Sequence, residues 1–418
     1  MSPVVITLLF LAFAIMMFIL EKIPLGLTAT IVAIGLNVTG VLSASDTFVG
    51  YVNSNVILCV GMFVVGQALF ETGMANRIGG LVTRFAKNER ILIAAIMVIV
   101  GIMSGFLSNT GTAAVLIPVV CGIADESGYS RGKLLMPLVF AAALGGNLSI
   151  IGAPGNLMGI DALNNLGIQT GFFEYIAVGA PMLVIGILYF VFIGYRFLPD
   201  TKGEGEADGQ SDYSSVPRWK QITSLVVLIV VILAMIFEEQ IGVKLQVSAC
   251  VGTAFLVLTG VISEKAALQS IDLKVVLLFG GSLALAKALE TTGAGSLIAD
   301  TIVGALGENP NPIILLLVIF IVGCTLTNFM SNTATTALMV PIAVSLAQSL
   351  GADPRSMVIA TVISCSCAYA TPIGMPANTM VVGLGGYKFN DYVKSGLPLI
   401  GVSFVICMVL LPILYPFY

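Results

Sequence analysis

The sequence predicts an all-α polytopic membrane protein made of two inverted repeats, with about ten transmembrane helices, two re-entrant hairpins and two broken helices. Three observations lead there. The chain has 418 residues, 58% hydrophobic and only 10% charged, with a mean hydropathy of +1.05, well outside the range of soluble domains. Apolar runs at 2–20, 25–41, 222–237, 247–262 and 397–414 approach or exceed the roughly 20 residues that cross ~30 Å of hydrocarbon. Segments of the first half return, in order, in the second.

The run at 2–20 has no basic segment before it and no small-residue cleavage site after it, so it reads as a retained helix. The first repeat, 1–200, divides into scaffold helices at 1–75, a hairpin at 91–125, a broken helix at 131–164 and a helix at 172–197. The segment 201–218, TKGEGEADGQSDYSSVPR, is rich in Gly, Ser, Asp and Glu and reads as a flexible cytoplasmic linker. The second repeat, 219–418, has scaffold helices at 219–292, a hairpin at 311–350, a broken helix at 355–384 and a last helix at 393–417.

The internal match is specific. Ser108-Asn109-Thr110 recurs as Ser331-Asn332-Thr333, 223 residues on, and the flanks GTAAVLIPVV and ATTALMVPIA agree in pattern. Ile151-Gly152-Ala153-Pro154-Gly155-Asn156 recurs as Ile373-Gly374-Met375-Pro376-Ala377-Asn378 at 222, and QALFETG as KALETTG at 220. Three ordered matches at nearly constant spacing indicate a duplication.

Orientation follows from charge. With each hairpin returning to its side of entry, each repeat has an odd number of full spans, so the halves are inverted. An outer amino terminus then puts every basic residue except Lys244, Lys287 and Arg355 on the inner side, as the positive-inside bias requires. Lys287 sits near the outer end of its helix, where a long stem can snorkel.

The net charge of −4 arises mostly from 200–212, and no basic patch points to nucleic acid. All seven cysteines lie in apolar runs, where free Cys acts as a small hydrophobe. With no histidine there is no HExxH site and no Ser-His pair, so an enzyme is not expected. Nor does a carboxylate interrupt the middle of an apolar run, which disfavours a proton relay; Glu71, Asp161 and Glu290 lie nearer span ends.

Backbone at a hairpin tip inside the membrane must be buried or face a wet cavity. The tips here are the two Ser-Asn-Thr triplets, whose uncharged groups both donate and accept. Helical arms restarting at Gly111 and Ala334 would aim free N–H groups and positive dipole ends at a shared site, favouring an anion. The Gly/Pro breaks at 145–156 and 371–378 read as discontinuous helices whose carbonyls suit a cation at a transporter's midplane. A single triplet would read as a helix cap; two at matched positions point to a site.

At these residues the chain resembles the divalent-anion/sodium symporter family of bacterial dicarboxylate and animal citrate and sulfate carriers. The resemblance rests on both Ser-Asn-Thr triplets, on LLFGGSLALAKALETTG at 277–293 and on the paired Gly-x-Pro-x-Asn breaks, and it spans nearly the whole chain. It implies an elevator mechanism, a homodimer in the inner membrane, and sodium carried with a C4-dicarboxylate or a sulfate-like oxyanion. A sodium-independent anion exchanger is the alternative.

By the same resemblance one sodium site comprises Ser104, Ser108, Asn109 and backbone near Gly152. The other comprises Thr327, Met330 backbone, Asn332 and backbone near Gly374. The anion would touch Ser108, Asn109, Thr110, Ser331, Asn332 and Thr333, with Pro154 and Pro376 nearby. Ser104 and Thr327 each stand one turn before a triplet serine, able to face the same cavity. Two departures matter. The family's dicarboxylate carriers commonly have Thr-Pro-Pro at the breaks, where this chain has Ala153-Pro154-Gly155 and Met375-Pro376-Ala377. An amino-terminal span found in many relatives is also expected to be missing.

Overall fold

The computed structural model describes residues 1–20, 22–85, 88–201, 203, 213, 215–306 and 311–418. Among them there is no strand, and sixteen of the helices fall into two matching sets of eight, with Ala294–Leu306 an additional helix in the second half. The first set is α1 (Pro3–Leu20), α2 (Leu25–Val38), α3 (Ser54–Glu71), α4 (Glu89–Ser104), α5 (Asn109–Ser127), α6 (Arg131–Gly145), α7 (Pro154–Asn165) and α8 (Ile176–Phe192). The second is α9 (Arg218–Ile236), α10 (Leu245–Leu258), α11 (Leu273–Thr292), α12 (Pro312–Thr327), α13 (Asn332–Ser349), α14 (Pro354–Ser366), α15 (Pro376–Gly385) and α16 (Phe389–Leu414). Short helical segments, Ala44–Phe48 and Glu264–Ser270 among them, join the longer ones. Most of the expected linker at 201–218 lies outside the described residues.

The packing repeats as the sequence does. Helix α2 lies along α11 and α3 along α10, while α4 packs on α6 as α12 packs on α14. Small residues permit these crossings, since apolar helices in lipid associate by close backbone approach. A Cβ on Gly26 would stand 2.9 Å from Lys274 O, and one on Gly61 would stand 2.7 Å from the Ala249 side chain. The long helices present broad apolar surfaces: Leu258 is 86% exposed and Phe192 66%, as suits lipid rather than water as the solvent.

Two apolar runs yield shorter helices than their length suggested. Helix α2 stops at Val38 because the chain turns through Gly40 at φ 75°, and α10 stops at Leu258 before Gly260 at φ 69°. Only glycine adopts that backbone without strain, so it ends both helices. The two Ser-Asn-Thr triplets span the end of the turn from α4 and the start of α5, and the end of the turn from α12 and the start of α13; the breaks lie between α6 and α7 and between α14 and α15. Each hairpin's outgoing helix packs against the post-break helix of the other repeat, α13 on α7 and α5 on α15. This cross-packing draws the four irregular segments toward one region.

Candidate cation and anion site

Each triplet serine caps the helix that follows. Ser108 Oγ accepts from Gly111 N–H at 3.1 Å and Ser331 Oγ accepts from Ala334 N–H at 3.2 Å. With the serines as N-caps, α5 and α13 begin at Asn109 and Asn332, two residues before the expected Gly111 and Ala334. The N–H groups left without an intrahelical partner are therefore those of the Asn and Thr of each triplet. They stand where a helix dipole favours negative charge. The triplet residues are half-buried, as is Pro154, whereas Pro376 is exposed.

Behind each tip is a cluster of oxygens. Ser104 is fully buried, and its Oγ lies 2.7 Å from both Asn109 Oδ1 and Ala142 O. Rotating the Asn109 amide would bring its Nδ2 2.7 Å from Ser104 Oγ, 3.1 Å from Ala142 O and 3.2 Å from Gly152 O. The second repeat matches it. Thr327 Oγ1 lies 2.8 Å from Asn332 Oδ1 and 2.5 Å from Cys365 O. The rotated Asn332 amide would reach Thr327 Oγ1 at 2.8 Å, Gly374 O at 3.2 Å and Cys365 O at 3.3 Å.

The two amide orientations have different chemistry. With Oδ1 inward, one hydroxyl proton is shared between an amide oxygen and one carbonyl, and a second carbonyl faces the amide oxygen with no proton between them, an electron-rich set that suits a hard cation. With Nδ2 inward, the amide's own protons satisfy the carbonyls and no cation is needed. A group beside the amide leaves no room for a larger neighbour: a Cβ at Gly146 would stand 2.6 Å from Asn109 Oδ1.

Of the residues expected from sequence, the structure brings Ser104, Asn109 and Gly152 together, and Thr327, Asn332 and Gly374. Ser108 and Ser331 adjoin as caps. Met330 is buried, with its N–H donating to Leu326 O, and no hydrogen bond among the described residues ties it to the cluster. The carbonyls of Ala142 and Cys365 were missed. Any residue supplies a carbonyl, so only their spacing of 223, shared with the triplets, could have signalled them.

The unwound segments are tied to the hairpin turns. Ser149 Oγ donates to Gly105 O and Thr371 Oγ1 to Asn328 O, both at 2.5 Å. The repeats also meet here, since a Cβ on Gly155 would stand 2.9 Å from Thr336 Oγ1. Proline at that position would crowd Thr336, which accounts for one departure from Thr-Pro-Pro.

Asp161 at the far end of α7 is more enclosed than its place near a span end suggested. It is 3% exposed and accepts from Asn53 Nδ2 at 2.7 Å and from Asn55 and Asn165 Nδ2 at 3.0 Å. At a water-facing end, the hydrogen bond from Lys133 holds the Asp200 carboxyl below its usual range.

The whole chain aligns with solved transporters. The Alcanivorax borkumensis YdaH transporter superposes with a TM-score of 0.69 at 16% identity, covering 99% of this chain and 98% of that one. Neisseria gonorrhoeae MtrF, described as one of a class of antimetabolite efflux pumps, gives 0.65 at 15% identity, covering 99% and 95%. At such identities the likeness speaks for the fold alone.

Sequence relatives are more informative. An uncharacterized transporter of Haemophilus influenzae is 28% identical over 414 residues, covering 92% of this chain and 86% of its own. The sodium-dependent high-affinity dicarboxylate transporter 3 of Caenorhabditis elegans is 25% identical, covering 90% and 77%. The sodium-dependent dicarboxylate transporter SdcS of Staphylococcus saprophyticus is 23% identical, covering 95% and 83%. The family model described as citrate transporter (CitMHS) matches residues 15–363 and again 234–417. With most of its length matched and two sodium-dependent dicarboxylate carriers among its relatives, this chain belongs to the citrate transporter family, a family of membrane transporters rather than enzymes.

Proposed function

We propose that the protein carries a small divalent anion, a C4-dicarboxylate in the first instance, together with sodium. The observation that carries this reading is the pair of oxygen clusters, Ser104–Asn109–Ala142–Gly152 and Thr327–Asn332–Cys365–Gly374, each beside a helix N-terminus. Neutral oxygens attract a cation, helix N-termini attract an anion, and each bound ion reduces the cost of burying the other. No Lys or Arg lies in either triplet or break, so the cations themselves supply the positive charge. Names of relatives that are sodium-dependent dicarboxylate transporters support the pairing.

Transport proceeds by an elevator motion in which hairpins and broken helices move against the scaffold helices of a homodimer. The repeats are inverted, the chain lies in the inner membrane, and the linker at 201–218 is cytoplasmic. The cross-packing of α13 on α7 and of α5 on α15 supports treating hairpins and broken helices as one moving body.

Sodium-independent anion exchange is the second reading, favoured by the orientation in which Nδ2 of Asn109 and Asn332 satisfies the carbonyls without a cation. Uptake of radiolabelled succinate into proteoliposomes, with sodium or with choline outside, separates the two. Uptake that requires sodium supports symport. Equal uptake in choline, accelerated by internal dicarboxylate, would replace it with exchange.

A further inference from the structure

The asparagine that ends each break motif is well removed from the triplets in sequence, yet its surroundings are duplicated almost atom for atom. Asn156 and Asn378 are both fully buried. Asn156 Nδ2 donates to Gly146 O and to Ser149 O, each at 2.7 Å. Asn378 Nδ2 donates to Ala368 O at 2.7 Å and to Thr371 O at 3.0 Å. All three positions in the second set stand 222 residues after those in the first.

A tyrosine completes each arrangement. Tyr175 donates its hydroxyl to Asn156 O at 2.9 Å, and Tyr392 donates to Asn378 O at 2.8 Å. Both rings are fully buried. Tyr175 precedes α8 and Tyr392 lies within α16, so each tyrosine ties the break to the uninterrupted helix that ends its repeat. Sequence alone hides this pairing, because the tyrosines are 217 residues apart rather than 222.

We infer that Asn156 with Tyr175, and Asn378 with Tyr392, are positioning residues that set the backbone carbonyls of Gly152 and Gly374 at the oxygen clusters. This inference rests on the sodium reading above. Between α6 and α7 only the 3-10 turn Gly146–Leu148 is helical, and between α14 and α15 nothing is, so no helical ladder holds the carbonyls of Gly152 and Gly374. In each break one amide clamps a carbonyl just past the end of the preceding helix, that of Gly146 or Ala368, and a second carbonyl three residues on. The side chain at that second position, Ser149 or Thr371, ties the loop to the hairpin turn. The loop carrying Gly152 or Gly374 is thereby closed at both ends. A cluster built from carbonyls selects its cation only if they are held at fixed distances, and neutral ligands cannot compensate by charge.

The inference separates positioning from folding. Tyr175→Phe and Tyr392→Phe each remove one hydrogen bond and leave a ring of the same shape. Asn156→Ala and Asn378→Ala remove the clamp itself. The probe is sodium alone, replacing choline in steps, with thermal stabilisation of the purified full chain as the readout, followed by succinate uptake against sodium concentration.

Each Tyr→Phe variant should need about threefold to tenfold more sodium for half-maximal stabilisation and uptake, the range to which the net worth of one hydrogen bond converts. The apparent succinate KM at saturating sodium should change less than about twofold, since the triplets are untouched. The Asn→Ala variants should show the same effect more strongly.

Four variants that respond to sodium like the wild type would overturn the inference. So would Tyr→Phe variants that lose melting temperature in choline but keep the wild-type sodium midpoint, because the residues would then serve folding only. A wild-type protein that sodium fails to stabilise would instead sink the sodium reading itself, so the two failures are distinguishable.

Discussion

Asn109 and Asn332 each combine two roles: a side-chain amide turned to an oxygen cluster, and a backbone N–H at a helix start. Asn109→Ala and Asn332→Ala should therefore each reduce uptake by at least about 100-fold while the purified protein remains monodisperse, because both ions lose contacts at once. Normal uptake by either variant would mean that the triplets serve as caps alone. A second expectation follows from the donor set, which contains hydroxyl, amide and carbonyl oxygens and no ionisable group. Sites whose ligands must lose a proton bind metals in a pH-dependent way; here the sodium concentration giving half-maximal stabilisation should be constant from about pH 6 to 8. A shift of tenfold or more across that interval would show that an ionisable group joins the site.

At the scale of elements, glycines decide how closely the final helix of each repeat approaches its break. A Cβ on Gly179 would collide with Asn147 O, and one on Gly396 with Tyr369 O. Both obstacles are backbone that cannot rotate aside. Gly179→Ala and Gly396→Ala should each cost about 1–3 kcal/mol through forced separation of the helices, read as a lower melting temperature in detergent. Gly401→Ala, on the same helix as Gly396 but with open space around its Cβ, should be neutral or slightly stabilising. Equal melting temperatures for all three variants would remove the close-approach account. The clamp from Asn53, Asn55 and Asn165 onto Asp161 joins the start of α3 to α7, one polar tie between a scaffold helix and a broken helix.

For the whole molecule, the proposed inverted arrangement can be tested without a ligand. Lys244 and Lys265 stand at opposite ends of the short helix α10 and its following turn. In the proposed orientation Lys244 faces outward and Lys265 inward. Cysteine replacing Lys244 should react with a membrane-impermeant maleimide on intact cells, above the background of the seven native cysteines. Cysteine replacing Lys265 should react only after permeabilisation. The reverse pattern would turn the whole topology over, and equal labelling of both would refute α10 as a span. The ion pairs at the ends are a weak force in this: Asp125 and Asp200 are 54% and 72% exposed, so water and salt screen them.

Much of this protein was legible from residue types. Apolar composition determined an all-helical membrane protein, because lipid leaves backbone polar groups no partner outside the chain. The duplicated Ser-Asn-Thr and Gly-x-Pro-x-Asn motifs marked where helices begin again after a break, since capping, proline and glycine act locally. Tertiary structure alone decided which groups meet. The carbonyls of Ala142 and Cys365 reach the clusters only because α6 packs on α4 and α14 on α12. The tyrosines reach Asn156 and Asn378 only because the final helices lie against the breaks. A carbonyl has no residue identity, and a buried tyrosine resembles any other core aromatic, so neither leaves a mark in sequence until the packing of distant helices gives it a partner.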